Sequence, residues 1–297
     1  MVDYVDNQGY YIDNLSVYFV VEELMLTVTA IQTGITRVTP AFQRGNADRS
    51  LPAALFASLR DQPSIDLPIY AWLIEHDEGL IVVDTGDSPD THRTPVAEMI
   101  IKPEESLAAQ LEARGIRPRD IAALVLTHLH SDHLGGIGPF RGVETYVSDY
   151  DHAVLSNPFR RWVSAQANPI PAWLKTNPVN FTNGAFGAFA QSAKITRRED
   201  VIAVPTPGHT AGHQSVIVLD GDLQIFIAGD VTYSQESLLN RKLEGLSFAK
   251  PAHLPTLERV LRHVTQHPTV YLPSHDWESG ARLAGRQIVG EGAMVTN

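Results

Sequence analysis

The stretch Thr127-His128-Leu129-His130-Ser131-Asp132-His133-Leu134-Gly135-Gly136 decides how this chain is read. It follows directly on the apolar run Ile121 to Leu126, which has the composition of a buried strand. On an extended chain, side chains at i and i+2 point the same way, so His128 and His130 can face one ion where the strand ends. A turn into a following helix then swings Asp132 and His133 toward a second position. Gly135 and Gly136 lack a Cβ and let another stretch of backbone pass close to that turn. Imidazole and carboxylate together suit zinc, iron, cobalt or manganese. A single histidine is usually structural, and a histidine cluster can be no more than a polar surface. Three histidines and an aspartate at strand-end spacing are better explained as metal ligands.

Further ligand candidates stand at the ends of other strands. His209 follows the apolar run Val201–Val204, in Pro207-Gly208-His209-Thr210-Ala211-Gly212-His213. Asp230 closes Leu223–Ala228, in Ala228-Gly229-Asp230, and His275 follows Thr269–Leu272, in Pro273-Ser274-His275-Asp276. Sites in α/β architectures gather at such an edge. Asp84, in Val83-Asp84-Thr85-Gly86, ends the run Leu80–Val83 and is either a turn residue or a support for the ligands. His213 is expected to pack near the site without ligating. His76, His92, His152, His253, His263 and His267 are expected to be structural or on the surface.

Leu26–Ile31 and Ile35–Val38 read as two short strands separated by a glycine turn, and Pro52–Leu59 as a short helix. Leu67–Glu75 is β-rich and connects through His76–Gly79 to Leu80–Val83. Glu104–Arg114 has helical spacing, with Leu107 and Leu111 on one face and Gly115 where a C-cap glycine belongs. Gln214–Leu219 is a further strand, and Thr256–Gln266 a further helix. Leu80–Asp84 and Leu223–Asp230 resemble each other, which points to two similar halves packed as a sheet sandwich with helices outside. The expectation is one domain over residues 1–297. Residues 1–25 form an acidic N-terminal extension without Lys or Arg, and residues 141–200 an irregular, aromatic-rich insert.

Composition narrows the chemistry. The chain has 297 residues, enough for one large α/β domain or two small ones. It has no cysteine, which removes disulfides, thiol nucleophiles, iron–sulfur clusters and Cys-containing zinc sites. A net charge of −11 argues against nucleic acid as a partner. No apolar run reaches the ~18 residues of a membrane span. The first basic residue is Arg37, so no secretory signal is expected, and the expectation is a soluble cytoplasmic protein. The separate composition of residues 1–25 and 41–64 marks them as candidate contacts of a homodimer.

In order along the chain, His128-x-His130-x-Asp132-His133, His209, Asp230 and His275 resemble the ligand pattern of the metallo-β-lactamase superfamily. The resemblance covers residues 26–297 and implies an αββα sandwich of two mixed β-sheets with helices on the outer faces. It implies two divalent metal ions, zinc first and cobalt, manganese or iron as alternatives. His128, His130 and His209 would hold one, and Asp132, His133 and His275 the other, with Asp230 between them and Asp84 supporting. Tyr233, three residues after Asp230, resembles the N-acyl homoserine lactone lactonases, as does the strand Pro68-Ile69-Tyr70-Ala71-Trp72-Leu73. The implied function is opening of the lactone ring, hence quorum quenching, by a metal-bridging hydroxide. Tyr233 would stabilise the oxyanion and Asp132 would carry the proton. The alternative is the same chemistry on another lactone, an ester, a thioester as in glyoxalase II, or an organophosphate triester. A glutathione-gripping C-terminal region has little room, because only 22 residues follow His275. For an acyl chain, Phe159, Trp162, Phe181 and Phe186 of the insert are candidate contacts, and the small Ser131 is expected to leave the pocket roomy.

Overall fold

The computed structural model describes residues 10–13, 16–19, 26–48, 50–89, 96–166, 168 and 170–290. Residues 1–9, most of the acidic extension and His92 lie outside them. Within the extension, β1 (Tyr10–Asp13) and β2 (Ser16–Phe19) form an antiparallel ribbon.

Two sheets make up the body of the fold. The first uses β3 (Thr27–Val38), β4 (Ile65–Glu75), β5 (Leu80–Val83), β6 (Ala97–Ile100), β7 (Ile121–Val125), β8 (Glu144–Ser148) and β9 (Asn177–Val179). Their order is β6-β3-β4-β5-β7-β8-β9, antiparallel up to β5 and parallel from β5 to β9. The second runs in sequence order through β10 (Ala193–Lys194), β11 (Val201–Pro205), β12 (Gln214–Asp220), β13 (Leu223–Gly229) and β14 (Thr269–Pro273).

Helices occupy the connections: α1 (Pro40–Arg44), α2 (Leu51–Leu59), α3 (Leu107–Glu112), α4 (Ser131–Leu134), α5 (Asp149–Ser156), α6 (Pro158–Ser164), α7 (Gln235–Leu239), α8 (Lys250–Gln266) and α9 (Ser279–Ala284). The pleat assigns alternate residues to alternate layers. Trp72, Ile74, Ile81, Val83 and Val125 point inward and meet Val216, Val218, Ile225, Ile227, Val270 and Leu272 of the second sheet. Their neighbours Leu73, Val82 and Leu124 point outward onto Leu107 and Leu111 of α3. On the far side, Ile217, Phe226 and Tyr271 pack under Leu257, Val260 and Val264 of α8. The result is helix, sheet, sheet, helix, with two mixed sheets, as the resemblance implied.

Three expectations need correction. Leu26–Ile31 and Ile35–Val38 belong to one strand, β3, whose pairing with β4 slips between Gln32 and Ile35. The glycine makes a bulge instead of a turn: Gly34 has φ +132°, and a Cβ there would lie 2.5 Å from Ile101 Cγ1. Residues 141–200 are more regular than their prolines and scattered aromatics suggest, since they contribute β8 and β9 to the first sheet and α5 and α6 beside them. Residues 104–114 split into a short 3-10 turn and α3, with Ser106 capping α3 through the Ala109 N–H. Among the described residues, no helix is long and apolar enough to cross a membrane.

Candidate metal centre and active site

The strand directions bring the candidate ligands to one edge. β11 and β13 are both antiparallel to β12, and β14 is parallel to β13, so these three strands end on the same side. His209, Asp230 and His275 follow those ends. Across the sandwich, the ends of the parallel pair β5 and β7 deliver Asp84 and His128. His130 then caps α4, whose first turn carries Asp132 and His133. The glycines after α4 admit the Asp84–Asp87 loop: a Cβ on Gly136 would lie 2.2 Å from the Thr85 carbonyl oxygen.

The ligand candidates converge. His128, His130 and His209 offer donor atoms within 4.8 Å of one another, as do Asp132, His133 and His275, and His128, His133 and Asp230. The His128 and His209 Nε2 atoms lie 3.0 and 2.9 Å from His130 Nδ1. His133 Nε2 is 3.2 Å from Asp230 Oδ1, and neither atom has a hydrogen-bond partner. His275 Nε2 is 3.3 Å from both Asp132 Oδ2 and Asp230 Oδ2.

Hydrogen bonds behind the cluster fix which nitrogens face it. His133 Nδ1 donates to Asp84 Oδ2 at 2.7 Å, and His275 Nδ1 donates to the Pro68 carbonyl at 2.8 Å. Thr127 Oγ1 donates to Asp84 Oδ2, so it accepts from His128 Nδ1 at 3.1 Å. All three rings therefore turn a bare Nε2 toward the centre, the tautomer a metal ligand requires. Asp84 accepts a further bond from the Thr127 N–H and sits at φ +60° with no exposed surface. His213 supports in another way. Its Nε2 accepts the Asp230 N–H at 2.9 Å, and its Nδ1 donates to Thr206 Oγ1 at 2.8 Å. Burial pushes it down to about 3, so it stays neutral. His76 and His263 are buried elsewhere, bonded to Asp200 and Gln224.

The electrostatics ask for a cation. Burial holds His128 and His209 well below the ordinary imidazole range and lowers His130, keeping them neutral. Burial also pulls on His275, but Asp230 and Asp132 outweigh it and push His275 up to about 10. The two carboxylates demand positive charge in a buried site, and a metal dication meets that demand where imidazolium protons otherwise would. The donor set fits: a tetrahedral ion with Zn–N bonds of about 2.0–2.1 Å spaces its nitrogens roughly 3.3 Å apart.

A cavity of about 480 Å³ opens onto the cluster. At its floor are His130, Asp132, His209, Asp230, His275 and Tyr233. Its walls are mostly apolar, from Val38, Phe42, Leu67, Met99, Val163 and Phe248, with Ser131 beside the floor. The Tyr233 ring is buried 5.0 Å from that of His275. Burial, with Asp230 and Asp132 nearby, pushes its hydroxyl well above the usual phenol value, so it remains a donor.

The four aromatics expected along an acyl chain are not on these walls. Phe159 and Trp162 stack on each other, 71% and 60% exposed, because the face of α6 that meets the cavity carries Val163 and Ser164. Phe181 lines a separate depression beside Gly212, and Phe186 packs on His263 in the outer core. The walls come instead from β3, α1, β4, β6, the Val163 face of α6 and the segment before α8. Apolar residues there carry no signal separating a groove from a core.

A model of the metallo-β-lactamase superfamily matches residues 65–275. The chain belongs to this superfamily. It is 30% identical over 191 residues to a probable metallo-hydrolase of Mycobacterium tuberculosis, covering 60% of this chain and 61% of the relative, so it spans about three-fifths of that protein's length. It is 23% identical over 230 residues to an N-acyl homoserine lactonase of Rhizobium radiobacter, covering 73% of this chain and 85% of the relative. Two solved structures share the fold. A quorum-quenching N-acyl homoserine lactone hydrolase superposes with TM-score 0.64 at 20% identity over 84% of this chain and 92% of that one. A dizinc quorum-quenching lactonase superposes with TM-score 0.60 at 19% identity over 86% and 89%. This superfamily member has relatives named as a probable metallo-hydrolase and as lactonases, and its residue clusters fit a divalent metal site.

Proposed function

We propose that this superfamily member opens the ring of N-acyl homoserine lactones. One observation carries the reading: Tyr233 and the His/Asp cluster share the floor of a single cavity whose walls are apolar. That combination suits a substrate with a carbonyl at one end and an acyl chain at the other. His128, His130 and His209 would hold one metal ion and Asp132, His133 and His275 a second, with Asp230 between them. Bound there, two divalent cations supply a Lewis acid and a water of lowered pKa.

The chain's own residues do the rest. Tyr233, kept protonated, donates its O–H to the carbonyl oxygen as negative charge develops there. Asp132 lines the cavity beside His275 and takes the proton of the attacking water. It returns that proton to the ring oxygen as the C–O bond breaks, and the product is an N-acyl homoserine. The apolar walls hold the acyl chain away from solvent.

The test is a ring-opening assay on purified protein, with metals counted by elemental analysis and a thioester and a phosphotriester run in parallel. About two metals per chain and fast lactone opening are expected. Two metals with turnover of only the thioester or phosphotriester would transfer the function to that bond. Tyr233→Phe should lower kcat/KM for lactones by about 10–100-fold, the scale of an oxyanion donor or a little less. An unchanged value would remove Tyr233 from the chemistry.

A further inference from the structure

Two segments far apart in sequence close the outer wall of the cavity. One is α1 with the residues that follow it, ending at Asn46. The other runs from Glu244 to Ala249, ahead of α8. Each brings an aromatic to the cavity, Phe42 from the first and Phe248 from the second, and the Phe248 ring lies 5.6 Å from that of His130.

Asn46 joins them. It is 1% exposed, and its amide makes a reciprocal pair across 201 residues of chain. Nδ2 donates to the Ser247 carbonyl at 3.1 Å, and the Ser247 N–H donates to Oδ1 at 2.9 Å. Of the neutral side chains, an amide is the one that offers a donor and an acceptor in the spacing of one residue's C=O and N–H. Without it, a buried N–H and a buried C=O would lose their partners together. The contact is close-built as well. The Gly245 N–H donates to the Gln43 carbonyl at 2.9 Å, and a Cβ on Gly45 would lie 2.0 Å from the Gly245 carbonyl oxygen.

From Ser247 the ties continue into the metal loops. His253 donates from Nε2 to the Val231 carbonyl at 2.9 Å, which leaves its Nδ1 to accept from Ser247 Oγ. The Phe248 N–H donates to the His209 carbonyl at 2.9 Å. Ser247 is thus held from one side by the metal-site loops and from the other by Asn46, with the Gly245–Gln43 bond two residues away.

We infer that Asn46 is a positioning residue that sets acyl-chain selectivity: by pinning Ser247 it fixes Phe248 against Phe42 and so the width of the apolar channel between them. Asn46 touches no substrate itself. The inference rests on the lactonase reading for its substrate but not for its geometry. A long acyl chain has more apolar length to lay along this wall than a short one.

The test compares metal-loaded wild type, Asn46→Ala, Asn46→Asp and Phe248→Ala. Kinetics on butanoyl and decanoyl homoserine lactones are measured with metal content and amide hydrogen exchange over residues 243–249. Asn46→Ala should raise KM for the decanoyl substrate about tenfold and leave kcat for the butanoyl substrate within twofold. It should keep its metals and exchange the Ser247 and Phe248 amides at least tenfold faster. Asn46→Asp, which lacks the donor to the Ser247 carbonyl, should shift KM in the same direction. Equal losses for both chain lengths, or an unchanged decanoyl KM, would overturn the inference. Should Asn46→Ala not fold, Phe248→Ala decides: it must raise the decanoyl KM more than the butanoyl KM, and equal changes would overturn the inference. If wild type opens neither lactone, the lactonase reading falls, and the clamp is judged by exchange alone, where unchanged rates in Asn46→Ala would refute it.

Discussion

Asp84 and Asp151 show what one buried carboxylate can do on either side of the site. The sequence leaves Asp84 open between turn residue and ligand support, since Val-Asp-Thr-Gly serves both. It does both: its left-handed backbone makes the turn, and its oxygens bind Thr127 and His133. Asp151, on α5, has no sequence signal at all. It is 6% exposed and packs so closely on the Gly212 backbone that a Cβ there would lie 2.2 Å from its Oδ1. Burial, and then the charge of Asp149, pushes it up to about 7. A carboxyl whose folded value exceeds its unfolded value of ~3.9 favours the fold while protonated. That stability is complete below pH ~4 and is lost as pH rises through about 7. Asp151→Asn, which cannot ionise, should therefore be more stable than wild type at pH 8, by on the order of 2–4 kcal/mol, with the gap closing toward pH 4. Urea midpoints at both pH values measure it, and a gap independent of pH would mean that Asp151 is not a buried titrating acid.

At the scale of elements, two of the glycines after α4, Gly136 and Gly138, give a paired prediction. Gly136 faces the Thr85 carbonyl with no room for a methyl group, while Gly138, two residues on, has nothing within 4 Å of the same position. Gly136→Ala should cost about 1–3 kcal/mol and lower metal content, because it pushes the Asp84 loop away from His133. Gly138→Ala should be close to neutral. Urea unfolding of the two variants compares them, and equal costs would show that backbone freedom, not the approach of Thr85, is what these glycines provide. The strands that lead to the candidate ligands were legible because each is an apolar run with a His or an Asp at or just after its end. β6 was not: Ala97-Glu98-Met99-Ile100 has no strand composition and takes its form from pairing with Ile35–Val38. The insert misled for a related reason. Prolines and exposed aromatics suggest a loose lid, yet β8 and β9 gain regularity from the β7 edge, which no local pattern announces.

At the scale of the molecule, the site is a joint between halves. Asp84 and residues 128–133 come from the first sheet, and His209, Asp230 and His275 from the second. Between them lie five imidazoles and two carboxylates, and His133 Nε2 and Asp230 Oδ1 are buried without partners. A cation at this joint binds the folded chain and not the unfolded one, so it stabilises both sheets at once. A free ion concentration about a thousandfold above the dissociation constant contributes about 4 kcal/mol per ion. For a domain of this size two such ions correspond to a melting temperature about 10–15 °C higher. Removing metal with a chelator should lower Tm by that amount while leaving far-UV circular dichroism intact, since the apolar layers between and outside the sheets do not depend on the ion. Zinc or cobalt should restore Tm, and magnesium should not, because a histidine-rich set is a poor match for a hard cation that prefers oxygen and retains its water. A Tm indifferent to demonstrated metal loss would mean that the joint is held by protons on His133 and His275. In that case Tm of the stripped protein should fall steeply as pH rises past the value at which those protons leave.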